Sequence, residues 1–202
     1  MSSEPRSDRP GAPCVVARLD DLGVGFDQAA VRSALDAGAA GVEIPLDALE
    51  SDGVPVGVDC IVAVTDVPTA VRAMDAGATG LRICATGPAR DELVALAVGR
   101  GVGAHVPIGR GVPEAALVEV GDLDPDAGDD LLGRLAALTD LAAAGRSVVA
   151  SIGAVGPEAT ATLAALATAR GAAVLRVVEV AAAVRAAAVL AAIGAEHAGR
   201  SR

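Results

Sequence analysis

Two stretches of the chain, LDAGAAGVEI at 35–44 and MDAGATGLRI at 74–83, repeat one device. In each, a helix-spaced segment stops at Ala-Gly, turns, and enters a short apolar run. A strand fed by a helix in this way pairs in parallel with its predecessor, because parallel strands need a crossover and a helix supplies one. The alternation runs along the whole chain. Strands are expected near 14–18, 41–45, 54–58, 80–84, 102–106, 116–120, 147–151 and 173–178. Helices are expected near 27–37, 67–76, 89–99, 129–144, 157–169 and 180–193. Eight strands in βα order predict an α/β fold, a (β/α)8 TIM-barrel-like architecture. The second and third strands, and the fifth and sixth, are joined by segments too short for a full helix. One or two outer helices are therefore expected to be missing or shortened. An open doubly wound sheet is the other architecture this order allows. Residues 1–12 read as a disordered leader, 13–195 as a single barrel domain and 196–202 as a tail.

Composition excludes several kinds of chemistry. All 16 basic residues are arginine, so Schiff-base catalysis on lysine is ruled out. There is no Trp or Tyr for base stacking and no asparagine. The formal net charge is −10 and the arginines do not cluster, which disfavours nucleic acid or an anionic membrane as partner. No apolar run approaches the roughly 18 residues of a membrane span. The three cysteines, Cys14, Cys60 and Cys84, lack metal or disulfide spacing, and the cytoplasm is the expected compartment.

In either α/β architecture, ligands bind beyond the C-terminal ends of the strands. The chemistry-bearing residues expected there are Asp20, Asp21, Glu43, Asp59, Arg82, His105, Glu119, Ser151, Arg176 and Glu179. Arg176 precedes a helix start, where backbone N–H groups favour an anion and a guanidinium would add bidentate bonds. The alternative is an ion pair of Arg176 with Glu179 or with a neighbouring strand-end carboxylate. The acidic stretch EVGDLDPDAGDD begins like a calcium loop. Ala127 stands where that loop needs Gly and Gly133 where it needs Glu, so no metal is expected from it.

Three segments, in order and in register, are similar to dihydropteroate synthase, the pterin-binding barrel of folate biosynthesis. They are VPVGVDCIVAVTDVPTAVRAMDAGATGL, LLGRLAALTDLAAAGRSVVAS, and the Arg176-Val177-Val178-Glu179 seam before an alanine-rich helix. The resemblance spans about Cys14 to Ile193. It implies a pterin-like substrate site at Asp59, Glu119 and Arg82, with Arg82 standing where the family has asparagine. It implies an anion site at Arg176, Asp21 and His105. It also implies a homodimer or heterodimer through the last two helices. Several family residues are replaced. Ala17 takes the place of the asparagine that binds Mg²⁺ and diphosphate. Gly153-Ala154-Val155 takes the place of Ser-Arg-Lys, and Val178 that of a histidine. The expectation is a dihydropteroate synthase-like barrel that binds a small molecule of the pterin class and lacks full synthase activity. The alternatives are a non-catalytic partner of an active paralogue and a repurposed barrel enzyme acting on a small anion.

Overall fold

A computed structural model describes residues 12–19, 27–53, 56–109 and 111–200. The expected leader, Asp20 and Asp21 in the first loop, and the His197 side chain fall outside the described residues. Eight strands close into one parallel barrel in chain order: β1 (Cys14–Arg18), β2 (Gly41–Glu43), β3 (Asp59–Val64), β4 (Gly80–Ile83), β5 (Gly103–Pro107), β6 (Leu117–Leu123), β7 (Val148–Ile152) and β8 (Val174–Val177). β8 pairs back onto β1 through Cys14 opposite Val174 and Val16 opposite Arg176, which excludes the open sheet. Around the barrel stand α1 (Gln28–Asp36), α2 (Leu46–Asp52), α3 (Val67–Asp75), α4 (Gly87–Gly99), α5 (Asp129–Ala143), α6 (Pro157–Ala169) and α7 (Val180–Arg200).

The repeated device has one local cause. α1 and α3 are capped by Ala37 and Ala76, and Gly38 and Gly77 follow with φ of 98° and 102°. Side chains rarely adopt that conformation and glycine does so freely. The next amide then turns back onto the helix, Ala39 N to Ala34 O at 3.0 Å and Ala78 N to Ala73 O at 2.9 Å. This satisfies helix-end carbonyls and aims the chain into β2 and β4.

Of the two connections too short for a full helix, the first holds the seven-residue α2. The second has no helix among its described residues. Arg146 ties that loop down by donating to the carbonyls of Val112 at 3.2 Å, Pro113 at 2.7 Å and Ala116 at 3.4 Å. One strand expectation is corrected. The third strand begins at Asp59 and not in the run expected at 54–58, of which Val56 and Gly57 form a turn, Gly57 with φ +87° and Val56 fully exposed. The strand is the later apolar run, so Asp59 opens β3 instead of ending it. α7 also continues to Arg200, past the expected end at 193.

Strand alternation divides the core in two. Val15, Ala17, Val42, Val62, Leu81 and Leu175 face outward and join the helices in one large cluster. Val16, Ile61, Val149 and Val174 face inward and form a second, small cluster inside the barrel. Ala17 is therefore fully buried in the outer shell and does not face the lumen.

Candidate functional site

Barrel interiors are filled by layers of four side chains drawn from alternate strands. Here the layer toward the C-terminal mouth consists of Glu43, Arg82, Glu119 and Arg176, from β2, β4, β6 and β8. Acid and base alternate, and each meets both neighbours. Arg82 reaches Glu43 at 3.5 Å and Glu119 at 3.4 Å. Arg176 reaches Glu43 at 3.3 Å and Glu119 at 2.5 Å, with a second bond to Glu119 at 3.4 Å. The four form a closed, charge-neutral ring. Arg176 is 0% exposed and Glu43 1%, whereas the Arg82 side chain is 24% exposed toward the mouth. Ser151, on β7, donates to Glu119 at 3.1 Å.

The ring holds its own ionisation. Burial acts to raise the Glu119 carboxyl. Arg176, then Arg82 and the Ser151 hydroxyl outweigh it, and the pKa ends below the usual value. Burial likewise opposes the charge on Arg82, and Glu119 and Glu43 together raise it. Cys84, exposed at the mouth, has its thiol pushed up mainly by burial, so it is not an activated nucleophile.

Above the ring the rim is also paired. Arg18 binds Asp122 at 2.9 Å. Arg134 donates to the Asp122 carbonyl and pairs with Asp130 at 2.5 Å. Asp122 reaches this position because β6 shifts register between Glu119 and Asp122, around Gly121 with φ 91°. The two acids are three positions apart, so without the irregularity they would face opposite sides of the strand. The Arg18–Asp122 pair escaped the sequence reading. Arg18 was legible as an inward position two after Val16, but the bulge left no signal beyond a glycine before an aspartate. A mouth cleft of about 460 Å³ lies between this rim and the ring, lined by Arg82, Cys84, Ile108, Glu119, Asp122 and Arg134.

The expected site residues are thus divided. Glu119, Arg82 and Arg176 come together, joined by Glu43. Arg176 does not pair with Glu179. Its partners are strand carboxylates, the ion-pair alternative left open by the sequence. Asp59 stands at the opposite, N-terminal end of the barrel, exposed beside Thr79 at 3.5 Å. The expectation of Asp59 at the mouth is corrected with the boundary of β3. His105 lies in mid-strand on β5, inside the barrel beneath the ring, and not at the strand end as expected. Its pKa is lowered to about 4, first by burial and then by Arg176, so it is neutral at pH 7. Val178, beyond β8, lines a separate cleft with Leu19, Ala30 and Val180. Among the described residues no three His, Cys, Asp or Glu side chains converge to hold a metal. With Ala17 facing the outer shell, the residues present do not fit the Mg²⁺ site implied by the resemblance. No helix among the described residues is long and apolar enough to cross a membrane.

The fold and site define a (β/α)8 barrel whose inner charges are spent on one another. Solved structures supply the comparison. Dihydropteroate synthase from Stenotrophomonas maltophilia, with imidazole in its active site, superposes with a TM-score of 0.75 at 15% identity, covering 93% of this chain and 95% of that one. The Xanthomonas albilineans enzyme in complex with 7,8-dihydropteroate gives 0.69 at 18%, covering 93% and 95%. The Mycobacterium tuberculosis protein Rv1207 gives 0.73 at 22%, covering 91% and 92%. No family model matches the chain, and no curated protein matches it in sequence. The chain has the fold of the dihydropteroate synthases over nearly its whole length.

Proposed function

We propose that this chain is a dihydropteroate synthase-like, pterin-binding barrel that does not carry the synthase reaction. The closed ring is the observation that supports this reading. The synthase reaction expels diphosphate from a pterin methyl carbon, and the departing anion needs electrostatic stabilisation. Arg176, the residue that matches the family's diphosphate arginine, has carboxylates on it from two strands. Pulling it away would leave those carboxylates buried and uncompensated, at a cost of about 3–5 kcal/mol. One well-placed donor contributes about 2.7–4 kcal/mol to such a transition state. The gain does not exceed the loss, so the ring stays closed.

Ligand binding is assigned to the cleft above the ring. Its volume of about 460 Å³ suits a small heterocycle, and Arg82 and Asp122 line it. A guanidinium can donate to a ring carbonyl, and a carboxylate can accept from an aminopyrimidine edge. Calorimetry with 6-hydroxymethylpterin should give heat that Arg82→Ala abolishes. A steady-state assay with the pterin diphosphate, 4-aminobenzoate and Mg²⁺ should give no product. Turnover near about 1 s⁻¹, ordinary for an enzyme, would overturn the inactive reading, and no heat at millimolar pterin would overturn the binding one.

A second reading, a non-catalytic subunit that pairs with another barrel, is favoured by the outer face of α6 and α7. Leu166, Val189 and Ile193 are exposed there. A groove of about 450 Å³ runs between the two helices, lined by Pro157, Ala161, Ala165, Ala182, Ala186 and Val189.

A further inference from the structure

The N-terminal end of the barrel holds a second cleft, of about 200 Å³, remote from the mouth. Its apolar wall is Val16, Ile61, Leu117 and Val174, and its polar lining is Cys14, Asp59, Thr79 and His105. Gly80 and Gly103 complete it. A barrel interior is ordinarily filled by bulky branched side chains, and an unfilled apolar space costs stability.

Packing explains some of the small residues here but not all. A Cβ on Gly41 would stand 2.7 Å from the Asp59 carbonyl oxygen, and one on Gly80 would stand 3.0 Å from Ile61 Cγ1. A Cβ on Gly103 would meet nothing closer than the Thr79 carbonyl at 3.6 Å, and Gly103 does not have a positive φ. Glycine within a strand is itself unfavourable. An alanine would fill part of the space without strain, so the opening at Gly103 is not forced by the fold.

His105 adds a buried polar group to the lining. It is 6% exposed, and its Nδ1 has no hydrogen-bond partner among the described residues. Its Nε2 lies 3.7 Å from where a Cβ on Gly80 would stand, and so faces the same cleft. Nε2 is thus the nitrogen that a ligand in the cleft would meet.

The lining sets the chemistry. Among the described residues Asp59 is its one carboxylate. Burial keeps the Cys14 thiol protonated, with Asp59 acting in the same direction, and His105 is neutral at pH 7. The carboxylate, the Thr79 hydroxyl and the imidazole can all accept a hydrogen bond. Among the described residues no arginine lines the cleft to hold an anion. A ligand matched to this lining has several N–H donors on one cationic centre and a short apolar tail.

We propose that this cleft binds a short aliphatic ammonium ion, its nitrogen on Asp59, Thr79 and His105 and its chain on Val16, Ile61, Leu117 and Val174. The site shares no residue with the mouth cleft and does not depend on the pterin reading.

The experiment uses the full chain and three probes of equal length: n-butylammonium, n-butanol and butyrate. Calorimetry measures affinity, and nitrogen-15 NMR follows the imidazole nitrogens of the chain's two histidines. n-Butylammonium should bind about tenfold or more tighter than butyrate, and should shift the His105 signals while leaving His197 unmoved. Gly103→Ala should weaken binding about tenfold, as for one extra methyl in a small pocket, with a melting temperature no lower than the wild type's. Asp59→Asn should remove the preference for the ammonium over the alcohol. Equal affinity for all three probes, unmoved His105 signals, or wild-type affinity in folded Gly103→Ala would each overturn the proposal. So would a lack of binding at tens of millimolar.

Discussion

Arg176 is a fully buried strand residue held between carboxylates on β2 and β6. Its charge cannot be removed alone. Arg176→Met leaves Glu119 and Glu43 buried beside one remaining guanidinium, Arg82, and should lower stability in urea by about 3–5 kcal/mol. Glu119→Gln should do similar harm from the other side. The double variant Glu119→Gln/Arg176→Met removes one charge of each sign and leaves Glu43 with Arg82. It should be more stable than the sum of the single losses by about 1–3 kcal/mol, the coupling that a double-mutant cycle reads for groups in one network. Simple additivity would mean that the ring is only a set of neighbours. The four residues were each visible at strand ends in the sequence. What was not visible is that the alternation of sign around the barrel would let them close on one another.

Among the elements, the Gly turns were read from two short stretches because their cause is local. A helix end, one residue with positive φ and one returning hydrogen bond all lie within a few residues. β3 was misplaced because VPVGV is rich in β-branched residues and strand propensity is weak where context decides. The later run IVAV can bury one face inside the barrel and the other under the helices, whereas Val56 buries nothing. α6 and α7 pose the opposite problem. Their alanine-rich surfaces read as a dimer face, and Leu166, Val189 and Ile193 do stand exposed on them. If a second copy covers this face, light scattering on the wild-type chain should give a dimer. Val189→Glu should then give a monomer with an unchanged melting temperature, because the side chain is 59% exposed within one barrel. A monomeric wild type would remove the proposed face.

For the molecule as a whole, the buried charges predict how it meets acid. The His105 pKa is lowered by burial to about 4 in the fold against an ordinary 6.5; Arg176, Glu119 and Arg82 of the ring act on it from above, and Asp59 and Cys14 share its cleft below. Between those values the unfolded chain binds more protons, so stability is full above pH 6.5 and falls as pH drops toward 4. Glu119 has a lowered pKa in the fold, and its contribution is also lost as pH falls. His105 alone should remove about 2 kcal/mol between pH 8 and pH 5. Thermal melts across that range should show the loss, and His105→Gln should flatten most of it. An equally steep profile in the variant would place the sensitivity elsewhere.

The sequence by itself determined the class of fold. Eight strands in parallel order, most of them fed by a helix and a Gly turn, leave few ways to bury eight apolar strands, and each such turn is specified by residues near one another in the chain. It also determined that no lysine or asparagine could serve the site, since composition survives folding unchanged. Only the tertiary structure decided which charges meet. Facing in or out alternates with every residue, and height in the barrel depends on where each strand begins. A few residues' difference in β3 therefore sends Asp59 to one end while Glu43, Arg82, Glu119 and Arg176, from four strands far apart in sequence, close a ring at the other. Which carboxylates lie against a guanidinium is decided by that closure, because a charge's partners are set by distance in space and not along the chain.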